Sequence, residues 1–250
     1  MMTSELDSSL QAADPDRWLA TRFISDPQAR AEIVALYSLD LELGAVALRA
    51  SNPLMAEIRF AWWRERCEAL AEGGTGGEHP VLAALAPAIA DGRFPLSALE
   101  TMIAARHAEL ADPWFEDEAG LDQYLDDLDV SLASAAAARL DAAADPQAMR
   151  AAARLSGLAR LAQREAAPGT TPAWWPQTWR SLAEETGRAD EVLRHLGQKL
   201  GQLRRTARAA PRLAPAAFPA IAHAALALER KAGPLGRRLR VTWAVAVGRV

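Results

Sequence analysis

The sequence predicts an all-α domain, and three observations carry that expectation. Ala, Leu, Arg and Glu dominate the 250 residues, while aromatic residues make up only 6%; the dominant types are strong helix formers. Apolar residues recur at intervals of three and four, the helical period, and no segment sustains the alternation of a half-buried strand. Prolines stand where helices begin, several behind a residue able to cap the first turn. About ten helices joined by short Pro/Gly loops account for the chain.

Taken in order, residues 1–13 form an acidic stretch with no apolar core. That is not the pattern of a secretory leader, and it is expected to be a disordered tail before a single domain over 14–250. Asp26-Pro27 opens a long helix on which Ile33, Leu36, Tyr37, Leu43 and Ala47 share a face. Asn52-Pro53, His79-Pro80, Phe94-Pro95 and Asp145-Pro146 mark further starts. Residues 73–79, Gly-rich, form a loop, and 166–178 and 209–219 are longer breaks. No apolar run reaches the roughly 18–20 residues of a membrane-spanning helix.

The composition excludes several chemistries. Cys67 is the single cysteine, so an internal disulfide and a cysteine-based metal site are ruled out, and a reducing cytoplasm fits. His79, His107, His195 and His223 lack metal-ligand spacing. No G-x-S-x-G elbow, P-loop or dinucleotide fingerprint is present. The C-terminal arginines Arg205, Arg208, Arg212, Arg237, Arg238 and Arg240 lack the interleaved aromatics of a single-strand binder, so no nucleic acid is expected.

The net charge of −4 hides an asymmetry. From Arg188 to the end, 13 basic residues face 3 acidic ones, which leaves 15 basic against 29 acidic in the rest. A basic quarter on an acidic body suits an acidic partner or an anionic membrane surface, unless it is charge drift along amphipathic helices. Arg237, Arg238 and Arg240, with Trp174-Trp175 in a Pro-rich loop, are the candidate partner-facing residues, since Trp is enriched in interface hot spots.

The first half of the chain carries more specific strings. These are Asp16-Arg17-Trp18-Leu19-Ala20 with Phe23, then Ala35-Leu36-Tyr37-Ser38-Leu39, and above all Pro53-x-x-x-Glu57-Ile58-Arg59-x-x-Trp62-Trp63-Arg64. His79-Pro80-Val81-Leu82, Ile103-x-x-Arg106, and Asp112-Pro113-Trp114-Phe115 ahead of Tyr124 extend the pattern. Together they resemble the squalene/phytoene synthase family, and the Glu-Ile-Arg-x-x-Trp-Trp-Arg helix resembles the branch that includes a respiratory complex I assembly factor. The resemblance fades beyond about residue 150.

What the resemblance implies is an isoprenoid-synthase-like helical fold around a central cavity. Active members join two prenyl diphosphates head to head, holding Mg²⁺ with aspartate pairs on two facing helices. Carboxylates at i and i+4 share a helix face, and several of them can present hard cations to a diphosphate. Here the first pair falls at Gly44 and Leu48 and the second at Gln163 and Ala167, with Asp40 one turn before the first. No catalytic residue, metal or other cofactor is therefore expected. The implied role is binding a partner protein, a prenyl lipid or a membrane surface, in the cytoplasm or peripheral to the membrane. The alternative is an active prenyltransferase using farnesyl or geranylgeranyl diphosphate with Mg²⁺. Tyr37, Asp40, Glu57, Arg59, Trp62, Trp63 and Arg64 are the candidates for a ligand groove, with Asp40 expected to pair with Tyr37, Arg59 or Arg64. Asp122-x-x-x-Asp126 mimics a metal pair, but reads as a solvated helix face.

Overall fold

A computed structural model describes residues 2–49, 52–164, 171–229 and 233–250, leaving aside the side chains of 2–4 and 47. Twelve α-helices make up these residues, with no strand among them. They are α1 Met2–Ala13, α2 Pro15–Thr21, α3 Pro27–Arg49, α4 Pro53–Ala71, α5 Pro80–Ala90, α6 Leu96–His107, α7 Glu118–Leu125, α8 Ser131–Leu140, α9 Pro146–Leu161, α10 Gln177–Thr186, α11 Ala189–Ala209 and α12 Pro234–Val247. A π-helical turn, Asp126–Val130, joins α7 to α8, and two 3₁₀ turns, Phe218–Ala220 and Ala222–Leu226, precede α12.

The starts read from proline hold, for the expected physical reason. Asn52 accepts from the Met55 amide at 3.0 Å, Asp145 from Gln147 at 2.9 Å and Asp26 from Gln28 at 2.8 Å. Each satisfies an amide that the helix itself leaves free. Pro80 begins α5 without a side-chain cap, and Pro95 stands just ahead of α6.

Where a tail is expected, residues 2–13 form the helix α1. Leu6 and Leu10, four apart, fall on one face of α1 and are buried, and α1 packs along α3. Asp7 then ties α1 to α2 by accepting from Trp18 Nε1 at 3.0 Å and pairing with Arg22 at 2.5 Å. Two leucines are a sparse signal in an otherwise polar stretch, which is why the stretch reads as a tail.

The long α3 is buried over 32–40, the middle of its length, and α5 and α1 pack against it, while α4 packs on α6 and α9 on α11. The middle of the bundle is thus bounded by α2, α3, α6, the π turn and α9.

Candidate functional site

Asp40 sits on the apolar stripe of α3 and is fully buried. A lone carboxylate there would be costly. The structure supplies two arginines. Arg17, from α2, donates Nη1 to Oδ2 at 2.6 Å; Arg106, from α6, donates Nη2 and Nε to Oδ1 at 2.6 and 2.9 Å. These replace the expected partners. Tyr37 turns its hydroxyl to the Ala220 carbonyl at 3.4 Å, and Arg59 and Arg64 lie exposed on α4.

The pair is the centre of a larger network. Arg106 Nη1 also donates to Glu109 at 2.6 Å, as do the Tyr124 hydroxyl at 2.6 Å and Arg164 at 3.0 Å. On the other side Asp129 accepts from Arg160 at 3.0 Å and from Arg17 Nη2 at 3.5 Å. Three buried carboxylates are therefore distributed over four arginines. The space left between Arg17, Tyr37, Asp129 and His223 is about 10 Å³, no more than one water needs. The central cavity implied by the resemblance is closed at this point. A more open cleft of about 520 Å³ lies beside it, where Asp16, Arg17, Arg160, Gln163, His223 and Arg237 form part of the lining.

Two glycines make the network possible. A Cβ on Gly44 would stand 3.2 Å from Arg106 Cζ, and one on Gly157 would overlap the Asp129 carboxylate. Bare backbone at these positions admits the charged groups. The π turn carries Asp129. A one-residue widening of a helix re-aims its side chains in this way.

The electrostatics follow the geometry. Burial pushes the Asp40 carboxyl up, but Arg106 and Arg17 outweigh it and hold the group well below the usual carboxylate range. Glu109 behaves likewise, with burial opposed by Arg106 and Arg164. Asp129 goes the other way: burial wins over Arg160 and Arg17 and raises it. Burial, helped by Arg17, pushes His223 down to about 4.

Among the described residues no carboxylate stands at the expected motif positions. Gly44 and Leu48 are not ligands, and Leu48 is 81% exposed. Gln163 is exposed, and Ala167 lies outside the described residues. Asp40, Glu109 and Asp129 are neutralised by arginine. Among the described residues no group of three or more His, Cys, Asp or Glu is arranged to hold a metal ion.

The other candidate residues separate. Tyr37 and Asp40 lie inside the bundle, whereas Glu57, Arg59, Trp62 and Arg64 are exposed at different angles around α4, so the seven residues do not line one groove. Glu57 pairs with His107 at 2.5 Å. Trp63 is buried and meets His79 edge-on at 4.9 Å. Trp174 and Trp175 are not surface residues: they are 4% and 5% exposed and stack edge-on with each other, Trp174 also meeting Trp179. Their large apolar area is better placed in the core than in water. Arg237 is committed to Asp16, its Nε at 2.9 Å, and Arg240 to Glu229 at 3.1 Å; Arg238 is exposed. Asp126 and Asp122 are held by Arg154, Asp126 also by Arg150 and Asp122 by Lys199. They stitch α7 and the π turn to α9 and α11 rather than form a merely solvated face.

Arg17, Arg106, Glu109, Asp129 and Arg160 were not singled out by sequence reasoning as site residues. A usable signal existed: Arg106 follows Leu99, Met102 and Ile103, all buried, at the same helical spacing that makes Asp40 conspicuous.

A family model described as squalene/phytoene synthase matches residues 10–244. Among solved structures the chain is similar to a dehydrosqualene synthase in complex with a ligand. The TM-score is 0.74 at 11% identity, covering 98% of this chain and 95% of the other. A search of curated proteins finds no match.

Proposed function

The chain belongs to the squalene/phytoene synthase family, and from that premise we propose that it is a member that does not join prenyl diphosphates and instead binds a partner protein or a lipid. One observation carries the reading. The Arg106 guanidinium lies against Gly44, where the family pattern would set an aspartate, and is locked there by Asp40 and Glu109. Cation-mediated departure of a diphosphate needs free carboxylates facing one another, and among the described residues the interior carboxylates Asp40, Glu109 and Asp129 are paired with arginines. The Glu57-Ile58-Arg59-x-x-Trp62-Trp63-Arg64 helix supports a place near the complex I assembly branch. Its outer face exposes Leu54, Ile58 and Trp62 at successive turns, an apolar stripe of the kind a partner protein covers.

The test is an incubation of the purified protein with farnesyl and with geranylgeranyl diphosphate plus Mg²⁺, following pyrophosphate. No release above the protein-free blank is expected. Turnover at ordinary enzyme rates, about 1 s⁻¹ or more, would reverse the reading in favour of an active head-to-head prenyltransferase.

A further inference from the structure

Helix α12 has an outer face that is exposed among the described residues. Leu235, Leu239 and Trp243 are 71%, 62% and 71% exposed. At 3.6 residues per turn they fall within an arc of about 80°. The same geometry sets Arg238 to one side of that arc and Arg240 to the other, each by roughly 60°. The opposite face, Val241 and Ala244, is buried, so the helix is seated and its stripe is not a consequence of fraying. From residue 230 to the end there are six basic residues and no acidic one.

Beside the stripe lies a cavity of about 290 Å³ with Trp243, Arg204, Arg208, Arg240 and Arg249 in its wall and no Asp or Glu side chain among its lining residues. Glu229 partly balances Arg240 at 3.1 Å and Arg204 at 3.8 Å. Among the described residues no ion pair is formed by Arg208, Arg238 or Arg249.

We infer that α12 docks the protein on an anionic phospholipid bilayer, with Leu235, Leu239 and Trp243 entering the headgroup–acyl boundary and a lipid phosphate taken up by the arginine-lined cavity. An apolar stripe ending in Trp and flanked by arginines is the make-up of a helix lying in the plane of an interface, and Trp prefers that depth. Charge complementarity selects the occupant. An acidic protein would answer the arginines, but it would not call for three large apolar side chains between them. A bilayer with anionic headgroups answers both. The inference deepens the lipid arm of the reading above but does not depend on loss of turnover. Pyrophosphate release by the same preparation would overturn that reading and leave this one standing.

The experiment is co-sedimentation of the full chain with phosphatidylcholine vesicles, with and without phosphatidylglycerol. Binding to the anionic vesicles should exceed binding to the neutral ones by about tenfold or more, given the per-residue contribution of basic side chains near an anionic surface. It should weaken with salt as the Debye length falls from about 10 Å at 0.1 M to about 3 Å at 1 M. Two double variants divide the terms: Leu235→Ser with Leu239→Ser removes two of the three stripe side chains without touching the cavity wall, and Arg208→Gln with Arg249→Gln removes free charge from the cavity. Each should lower binding by about tenfold while circular dichroism and melting temperature stay put, since the altered stripe side chains face outward. Brominated lipid should quench part of the tryptophan emission, and Trp243→Phe should abolish that part. Equal binding to neutral vesicles, or none to anionic ones, overturns the inference. So does loss on the arginine changes with no effect of the stripe changes, which would make the face an electrostatic one for an acidic protein.

Discussion

At the scale of single residues, the centre of this bundle is held by charge rather than by shape. Asp40 is fully buried between Arg17 and Arg106, so removing its charge takes the nearest partner from Arg17 and one of two close partners from Arg106. Asp40→Asn is expected to destabilise by about 3–5 kcal/mol, the range for breaking one side of a buried pair. The midpoint of urea unfolding at unchanged slope measures it. Replacing the acid and both its partners, Asp40→Leu with Arg17→Met and Arg106→Met, should recover part of the loss, because three apolar groups leave fewer ions to desolvate while Glu109 keeps Arg164 and Tyr124. A single substitution costing under about 1 kcal/mol, as an exposed pair would, would show that the network does not lock the interior.

At the scale of elements, α9 keeps a glycine where helix propensity argues against one. Gly157→Ala should gain about 1 kcal/mol on propensity alone. The new methyl would overlap the Asp129 carboxylate, which Arg160 and Arg17 hold in place. Overpacking of this kind costs about 1–3 kcal/mol, so a net drop in melting temperature is expected; a rise would mean that Asp129 yields freely. The elements themselves were largely legible. Pro27, Pro53, Pro80 and Pro146 announce helices because their ring suits the first turn, and Asp40 stands out as an acid on an apolar stripe. What the sequence hides is pairing across helices. Arg17 lies 23 residues from Asp40 and 112 from Asp129, and periodicity within a helix is silent about which stripes meet. Arg106 also passes unnoticed because a long arginine stem on an apolar stripe is ordinarily taken to reach solvent. Trp174 and Trp175, in a proline-rich segment, give no period from which burial can be read.

At the scale of the whole molecule, much of the charge imbalance along the chain is resolved internally. The basic C-terminal part supplies Arg237 to Asp16 and Lys199 to Glu118 and Asp122, clasping the acidic body. Acid should loosen the molecule in two windows. His223 is neutral in the fold, with its pKa about 4 against an ordinary 6.5, so between those values the unfolded chain takes up a proton the fold refuses and stability falls as pH drops. Asp40 and Glu109, lowered in the fold, lose their contribution further down, as pH falls through and below the carboxylate range. Asp129, raised, acts with the opposite sign: its contribution is present at low pH and fades as pH rises through its folded value. Melting temperature should therefore decline from pH 7 toward 4, and His223→Gln should flatten that slope; an unchanged slope would assign the decline elsewhere. With Arg106 lodged against Gly44, descent from this chain runs one way. An aspartate gained at 44 would meet a guanidinium already engaged and be silenced before it served any cation, while loss of Arg106 first would leave Asp40 and Glu109 short of a partner. Each single step toward an open interior therefore carries a stability cost until others accompany it, whereas changes on the outer faces of α4 and α12 leave the buried network intact.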